Sequence, residues 1–91
     1  MLFTECIVEF IGAVIIGIIG VFTNNAFLTG TAITVCSFIA FKSNLSKGSF
    51  NPTITLAMAL TKKQSWADAP FYILSQVIGA FAVWLLYIKY Y

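Results

Sequence analysis

Apolar residues in this chain run in blocks rather than alternating, and the block lengths decide what each can be. Phe3–Phe22 is twenty residues long and is broken by polar groups only at Thr4, Glu5 and Glu9. At 1.5 Å per residue it reaches ~30 Å, the thickness of a bilayer's hydrocarbon core. Asn24-Asn25 then marks a tight turn, because asparagine bonds its own backbone and tolerates left-handed dihedrals. Ala26–Phe41 follows, ~24 Å as a helix. Pro70–Ile88 is interrupted only by Ser75 and Gln76. These blocks predict three membrane-crossing helices, over about 3–23, 26–42 and 68–89.

The block Pro52–Leu60 is too short for that. Nine residues make about 14 Å of helix, half a bilayer. Its start has helix-opening chemistry: Asn51 can cap, and Pro52 occupies the first helical position, where a missing N–H costs nothing. Lys62 and Lys63 follow its last apolar residue, where cations suit the negative end of a helix dipole. Two placements are open for the 43–62 segment. It lies along the membrane surface, or it is a re-entrant loop and half-helix dipping to mid-membrane, enclosed by the three spans because exposed irregular backbone is excluded from lipid. The predicted fold is an all-α membrane protein of one domain, 1–91, with three transmembrane helices plus one re-entrant half-helix.

Composition agrees. Of the 91 residues 60% are hydrophobic and only 9% charged, against roughly 25% charged in soluble domains, so the surplus apolar surface must face lipid or protein. There is no histidine, and Cys6 and Cys36 stand apart in apolar stretches. Metal-ligand spacings are therefore absent, and neither metal nor cofactor is expected. No nucleophile–base arrangement is visible, which argues against an enzyme. A net charge of +2 is too small and dispersed for nucleic acid. No basic residue precedes the first apolar block, so that block is expected to be retained and not cleaved as a signal peptide. Lys42, Lys47, Lys62 and Lys63 all fall between the second and third spans, which places the N-terminus and Lys42–Asp68 on the cytoplasmic side. Tyr87, Tyr90 and Tyr91 suit the opposite interface.

Small residues repeat every four positions in each span: Ala13 and Gly17, then Ala32, Cys36 and Ala40, then Ser75 and Gly79. Such stripes let helices approach closely in lipid. Two polar residues lie inside spans. Glu9 and Gln76 each sit six positions into their block, ~9 Å below the same membrane face, the face from which the 43–50 loop would re-enter. At matched depth they can satisfy that loop's unpaired N–H and C=O groups. Snorkelling of Glu9 to the interface and a proton relay are the alternatives.

The chain resembles the N-terminal half of an aquaporin, a major intrinsic protein. The resemblance rests on Glu9-Phe10-Ile11-Gly12, on Gly48-Ser49-Phe50-Asn51-Pro52-Thr53-Ile54-Thr55-Leu56-Ala57, and on Tyr72-Ile73-Leu74-Ser75-Gln76-Val77-Ile78-Gly79-Ala80, in the family's order and spacing. It implies that Asn51 opens the half-helix, caps it with its side-chain oxygen and donates its amide to passing water or solute. Pro52 and Thr53 complete the motif, and the backbone carbonyls of Lys47, Gly48, Ser49 and Phe50 form an acceptor ladder. Glu9 and Gln76 match the loop-supporting residues. Departures from the family pattern are Thr53 where alanine is usual, a variant similar to the small basic intrinsic proteins of plants, and Ser49 where a histidine is common. Thr31 stands where many members place an aromatic filter residue. This implies a wider, more polar constriction that admits larger neutral solutes. Family channels have two inverted halves, so the resemblance implies a second aquaporin-like half or other membrane subunits as partner, in an oligomer within the lipid bilayer. The expected function is a component of a passive channel for water or small uncharged solutes. The alternative is a non-conducting structural or accessory subunit of a larger membrane complex or viral membrane.

Overall fold

The computed structural model describes all residues, Met1–Tyr91, as four helices: α1 Leu2–Thr23, α2 Ala26–Lys42, α3 Pro52–Leu60 and α4 Ala69–Tyr90. Local chemistry fixes each end. Asn24 closes α1 in the left-handed region (φ 49°), its N–H bonded to the Gly20 carbonyl. Its neighbour Asn25 opens α2, its side-chain oxygen accepting from the Leu28 N–H at 3.0 Å. One asparagine pair thus stops a helix and starts the next, and the two-residue turn lays α2 back along α1. α3 ends in a Schellman arrangement. The Lys63 N–H reaches the Met58 carbonyl at 2.7 Å and the Lys62 N–H reaches that of Ala59 at 3.2 Å. Lys62 (φ 66°) takes the left-handed position usually held by glycine.

α1 is the central element, packing against α2 on one side and α4 on the other, while α3 rests on α4. The whole measures 40 × 23 × 21 Å. Small residues set the α1–α4 approach. A Cβ added to Gly79 would stand 3.0 Å from Ala13 Cβ and 3.3 Å from the Phe10 carbonyl oxygen, and Gly17 faces Val83 in the same way, at 2.7 Å. Ala32 and Ala40 are the buried residues of α2.

The distribution of burial is inverted relative to a soluble domain. Sixteen of 91 residues are buried, and Glu9, Ser46, Ser49, Thr55, Gln64 and Gln76 are among them. Phe3, Phe27, Phe38, Phe41, Phe71, Phe81 and Trp84 are each more than half exposed. Polar groups are gathered inside and aromatic groups face out, as a lipid environment requires. α1 and α4, 22 residues each, are long and apolar enough to cross a membrane. At 17 residues α2 is shorter, ~26 Å.

Candidate functional site

The 43–51 segment leaves α2 through Ser43 and Asn44 and runs without regular structure from Ser46 to the start of α3. Its polar groups need partners, and Glu9 gathers one backbone N–H and two hydroxyls of the segment. The Glu9 side chain is fully buried. Its Oε1 accepts from the Phe50 N–H at 2.8 Å, from Gln76 Nε2 at 2.7 Å and from Ser49 Oγ at 3.2 Å. Its Oε2 accepts from Ser46 Oγ at 2.7 Å. Gln76 Nε2 also donates to Thr55 Oγ1 at 2.8 Å, and the Thr55 and Ser49 hydroxyls are 2.8 Å apart. A closed ring results: Gln76 to Thr55, Thr55 to Ser49, Ser49 to Glu9, and Gln76 directly to Glu9. Running the hydroxyl protons in that direction gives every donor an acceptor and gives the carboxylate four donors. No cation pairs with Glu9; the chain's one ion pair joins the N-terminal amine to Glu5. Four donors, together with the positive end of α3, compensate the carboxylate instead.

A second anchor lies one turn away. The Tyr72 hydroxyl donates to Glu5 Oε1 and accepts from the Lys47 N–H at 3.1 Å, so α1 and α4 together hold both ends of the loop. The loop pays a conformational cost in return. Phe50 sits at φ 53°, a region bulky residues occupy at a cost of order 1–3 kcal/mol. Its N–H is held by Glu9, and its ring fills the space over Gly12, where a Cβ would stand 2.2 Å from Cε1. Asn44 (φ 55°) and Gly48 (φ 67°) make the segment's other left-handed bends.

At the helix start, Asn51 Oδ1 accepts from the Thr53 N–H at 2.7 Å, and Pro52 takes the first helical position. That leaves the Asn51 amide nitrogen without a partner in the chain. Asn51, Pro52 and Thr53 are exposed. Asn51 and Pro52 open, with Phe50 and Gln76, onto a cleft walled by Ala13, Gly17, Ala80 and Val83 between α1 and α4. Lys47 is exposed, whereas Gly48, Ser49 and Phe50 are buried. The carbonyls of Lys47, Ser49 and Phe50 accept no hydrogen bond from the chain, but that of Gly48 accepts from Ser37 Oγ at 2.8 Å. Ser49 turns its side chain into the Glu9 ring. Thr31 is not brought to this place. Its hydroxyl donates to its own helix, at the Phe27 carbonyl, and it lines a different cleft with Ile15, Ile19 and Val35.

Glu5, Ser37, Ser46, Thr55 and Tyr72 belong to the site although the sequence alone assigns none of them a role there; Thr55 and Tyr72 stand within the matching motifs. One signal was available. Glu5 and Glu9 are four apart, as are Tyr72 and Gln76, which puts each pair on one helix face. Two carboxylates stacked that way in an apolar helix need donors opposite, and the second pair provides them. The hydroxyls of Ser37, Ser46 and Thr55 acquire meaning only through tertiary placement.

Comparison with known proteins bears on the whole of this arrangement. The family model described as "Major intrinsic protein" matches residues 2–91. An aquaglyceroporin-2 of Rhizophagus irregularis is 40% identical over 53 residues, 57% of this chain and 17% of that protein. Human aquaporin-9 is 37% identical over 62 residues, covering 68% and 20%. An aquaglycerol porin of Saccharomyces cerevisiae is 28% identical over 92 residues, covering 85% and 14%. The chain thus spans less than a quarter of the length of each of these relatives. No solved structure matches it.

Proposed function

Because the chain belongs to the major intrinsic protein family and is an integral membrane protein, we propose that it supplies one half of a passive channel for water and small uncharged solutes. In this reading α1, α2 and α4 cross the bilayer, and the 43–62 segment re-enters from the cytoplasmic side, where Lys42, Lys47, Lys62 and Lys63 lie. A second aquaporin-like half, within an oligomer, closes the path. The observation that carries the reading is Asn51. Its oxygen is spent on capping α3, while its amide nitrogen, at the positive end of a half-bilayer helix, has no partner and stands exposed. A donor fixed at that point, with the helix dipole behind it, binds the oxygen of water or an alcohol and opposes cations. Glu9, Gln76 and Tyr72 hold the loop rigid, so the open carbonyls of Lys47, Ser49 and Phe50 stand ready as acceptors. Thr31 lines the neighbouring cleft on α2 rather than that of Asn51; where a second half joins the two clefts, its small polar side chain leaves room for a polyol. Two of the relatives carry glycerol in their names, and glycerol is accordingly the solute to test beside water.

The test is flux into vesicles. The chain alone, and the chain together with the C-terminal half of a glycerol facilitator, are reconstituted and glycerol-driven reswelling is followed. Flux above protein-free vesicles in the paired sample, lost in Asn51→Asp, is the expected result. Aspartate keeps the capping oxygen, removes the donor and adds a negative charge that suits the helix start. Equal flux from Asn51→Asp and wild type, or none from either sample, defeats the proposal and leaves the non-conducting accessory role.

A further inference from the structure

The loop is gripped from two sides by unequal means. α1 and α4 hold it through Glu9, Gln76, Tyr72 and Glu5. From α2 a single side chain reaches it, Ser37, whose hydroxyl donates to the Gly48 carbonyl across eleven residues of chain. The seat is close. A Cβ on Gly48 would stand 3.1 Å from the Ser37 carbonyl oxygen and 3.4 Å from its Cα, with Ala40 Cβ at 3.6 Å. The loop backbone is therefore pressed directly onto the α2 backbone at this residue. Ser37 also behaves unlike its neighbours. Thr31 and Thr34 turn their hydroxyls onto their own helix, at the Phe27 and Gly30 carbonyls, the usual habit of a hydroxyl within a helix. Ser37 forgoes that local bond for the loop.

We propose that Ser37 is a positioning residue: it fixes the Gly48 carbonyl on α2 and so divides the loop's four carbonyls into one engaged with the protein and three open ones. The inference rests on the half-channel reading for its consequence, that a passing hydroxyl meets unengaged acceptors at Lys47, Ser49 and Phe50 and, at Gly48, one with a lone pair already taken by Ser37. This unevenness makes solute preference depend on where α2 sits. A permeating molecule that spans two acceptors feels the spacing between Lys47 and Ser49, which Ser37 sets. Water, needing one acceptor at a time, feels it less. Replacing Ser37 leaves the Glu9 ring intact, because no atom of Ser37 takes part in it.

The sequence offers a clean probe, since Gly48-Ser49 is its one glycine–serine pair. Carbonyl-labelled glycine combined with amide-labelled serine therefore reports that peptide alone by solid-state NMR of the chain in vesicles. In Ser37→Ala the Gly48 carbonyl resonance is expected to move upfield, and in Ser37→Thr, which keeps a hydroxyl, to stay near its wild-type position. The Phe50 amide keeps its protection from exchange in both. An unmoved Gly48 resonance in Ser37→Ala overturns the proposal. So does simultaneous loss of Phe50 protection, which would mark a general loosening. In the paired-half vesicles, Ser37→Ala is expected to change the ratio of glycerol to water flux and Ser37→Thr to restore it; a ratio unchanged while the resonance moves refutes the link to solute preference. Wild-type vesicles that pass neither solute count against the half-channel reading, and the Gly48 resonance still decides the contact.

Discussion

α1 has two seams, and they are built on different principles. Against α4 it meets glycine and alanine at backbone distance, with Glu5 and Glu9 facing Tyr72 and Gln76. Toward α2 the join is apolar and looser: Val8, Ile11 and Ile15 share an open cleft with Cys36 and Ile39, and a Cβ on Gly20 would stand at an ordinary 3.5 Å from the Thr29 side chain. Polar donors that each hold an acceptor inside a low-dielectric seam admit one register, since any slip orphans a donor at a cost of about 1–3 kcal/mol. Apolar surfaces in lipid have no such veto, because the acyl chains that replace a lost neighbour are equally apolar. The α1–α4 seam is thus the rigid frame from which the loop hangs, and the α1–α2 seam is the adaptable one. Phe50 belongs to both. Its N–H is bonded within the polar frame, while its ring lies over Gly12 and lines the apolar cleft toward α2.

The largest way to break this contrast is Glu9→Leu. The change keeps an apolar helix and a similar volume but strands the Phe50 N–H and one of the two Gln76 amide hydrogens, the other staying on Thr55, away from water. At about 1–3 kcal/mol for each buried group left unpaired, a loss of roughly 2–6 kcal/mol is expected by reversible unfolding in detergent. Exchange of the Phe50 amide should rise while amides in the middle of α2 stay protected. Equal loosening of α2 would show that the two seams form one cooperative unit and remove the distinction.

A smaller effect falls where the seams meet. In Gly12→Ala the new methyl would stand 2.2 Å from Phe50 Cε1 and 2.5 Å from Cδ1, so the ring must leave its seat or the helices must part. Overpacking of this kind costs about 1–3 kcal/mol. The double variant Gly12→Ala with Phe50→Leu should recover most of it, because the shorter side chain clears the methyl. A double variant no better than the single one would mean that the cost lies in helix separation instead.

Much of this was legible before any coordinates, and the boundary is instructive. Block lengths, the Asn24-Asn25 turn and the Asn51-Pro52 start depend on chemistry within a few residues, and the helices begin and end there. Glu9 and Gln76 were conspicuous because a carboxylate and an amide in long apolar runs demand partners. Tyr72 was not, since aromatic residues abound in this chain and nothing local separates one that hydrogen-bonds the Lys47 N–H from one that faces lipid. Ser37 was hidden for a related reason. A serine in an apolar helix normally satisfies itself on its own backbone, and only the left-handed bend at Gly48 brings a loop carbonyl within its reach. Thr31 shows the converse. Its match to the family's filter position on the second span pointed to the solute path, and nothing in the sequence told that it lines a cleft separate from that of Asn51.

The smallest predicted effect is also the sharpest test of the two seams, because the same substitution should change sign between them. Gly79→Ala places a methyl 3.0 Å from Ala13 Cβ and 3.3 Å from the Phe10 carbonyl oxygen, so the frame must open by a few tenths of an ångström. A loss of about 1 kcal/mol is expected from such crowding. Gly30, in α2, has nothing within 4 Å of where its Cβ would be. There alanine merely removes the helix penalty of glycine, and a gain of about 0.5–1 kcal/mol follows. Unfolding of both variants under identical conditions decides the sign. A loss at Gly30→Ala in the chain alone would mean that copies already pack against that face. A gain in the chain alone, turning to a loss once a second half is present, would identify Gly30 as the close-approach point at which that half packs against α2.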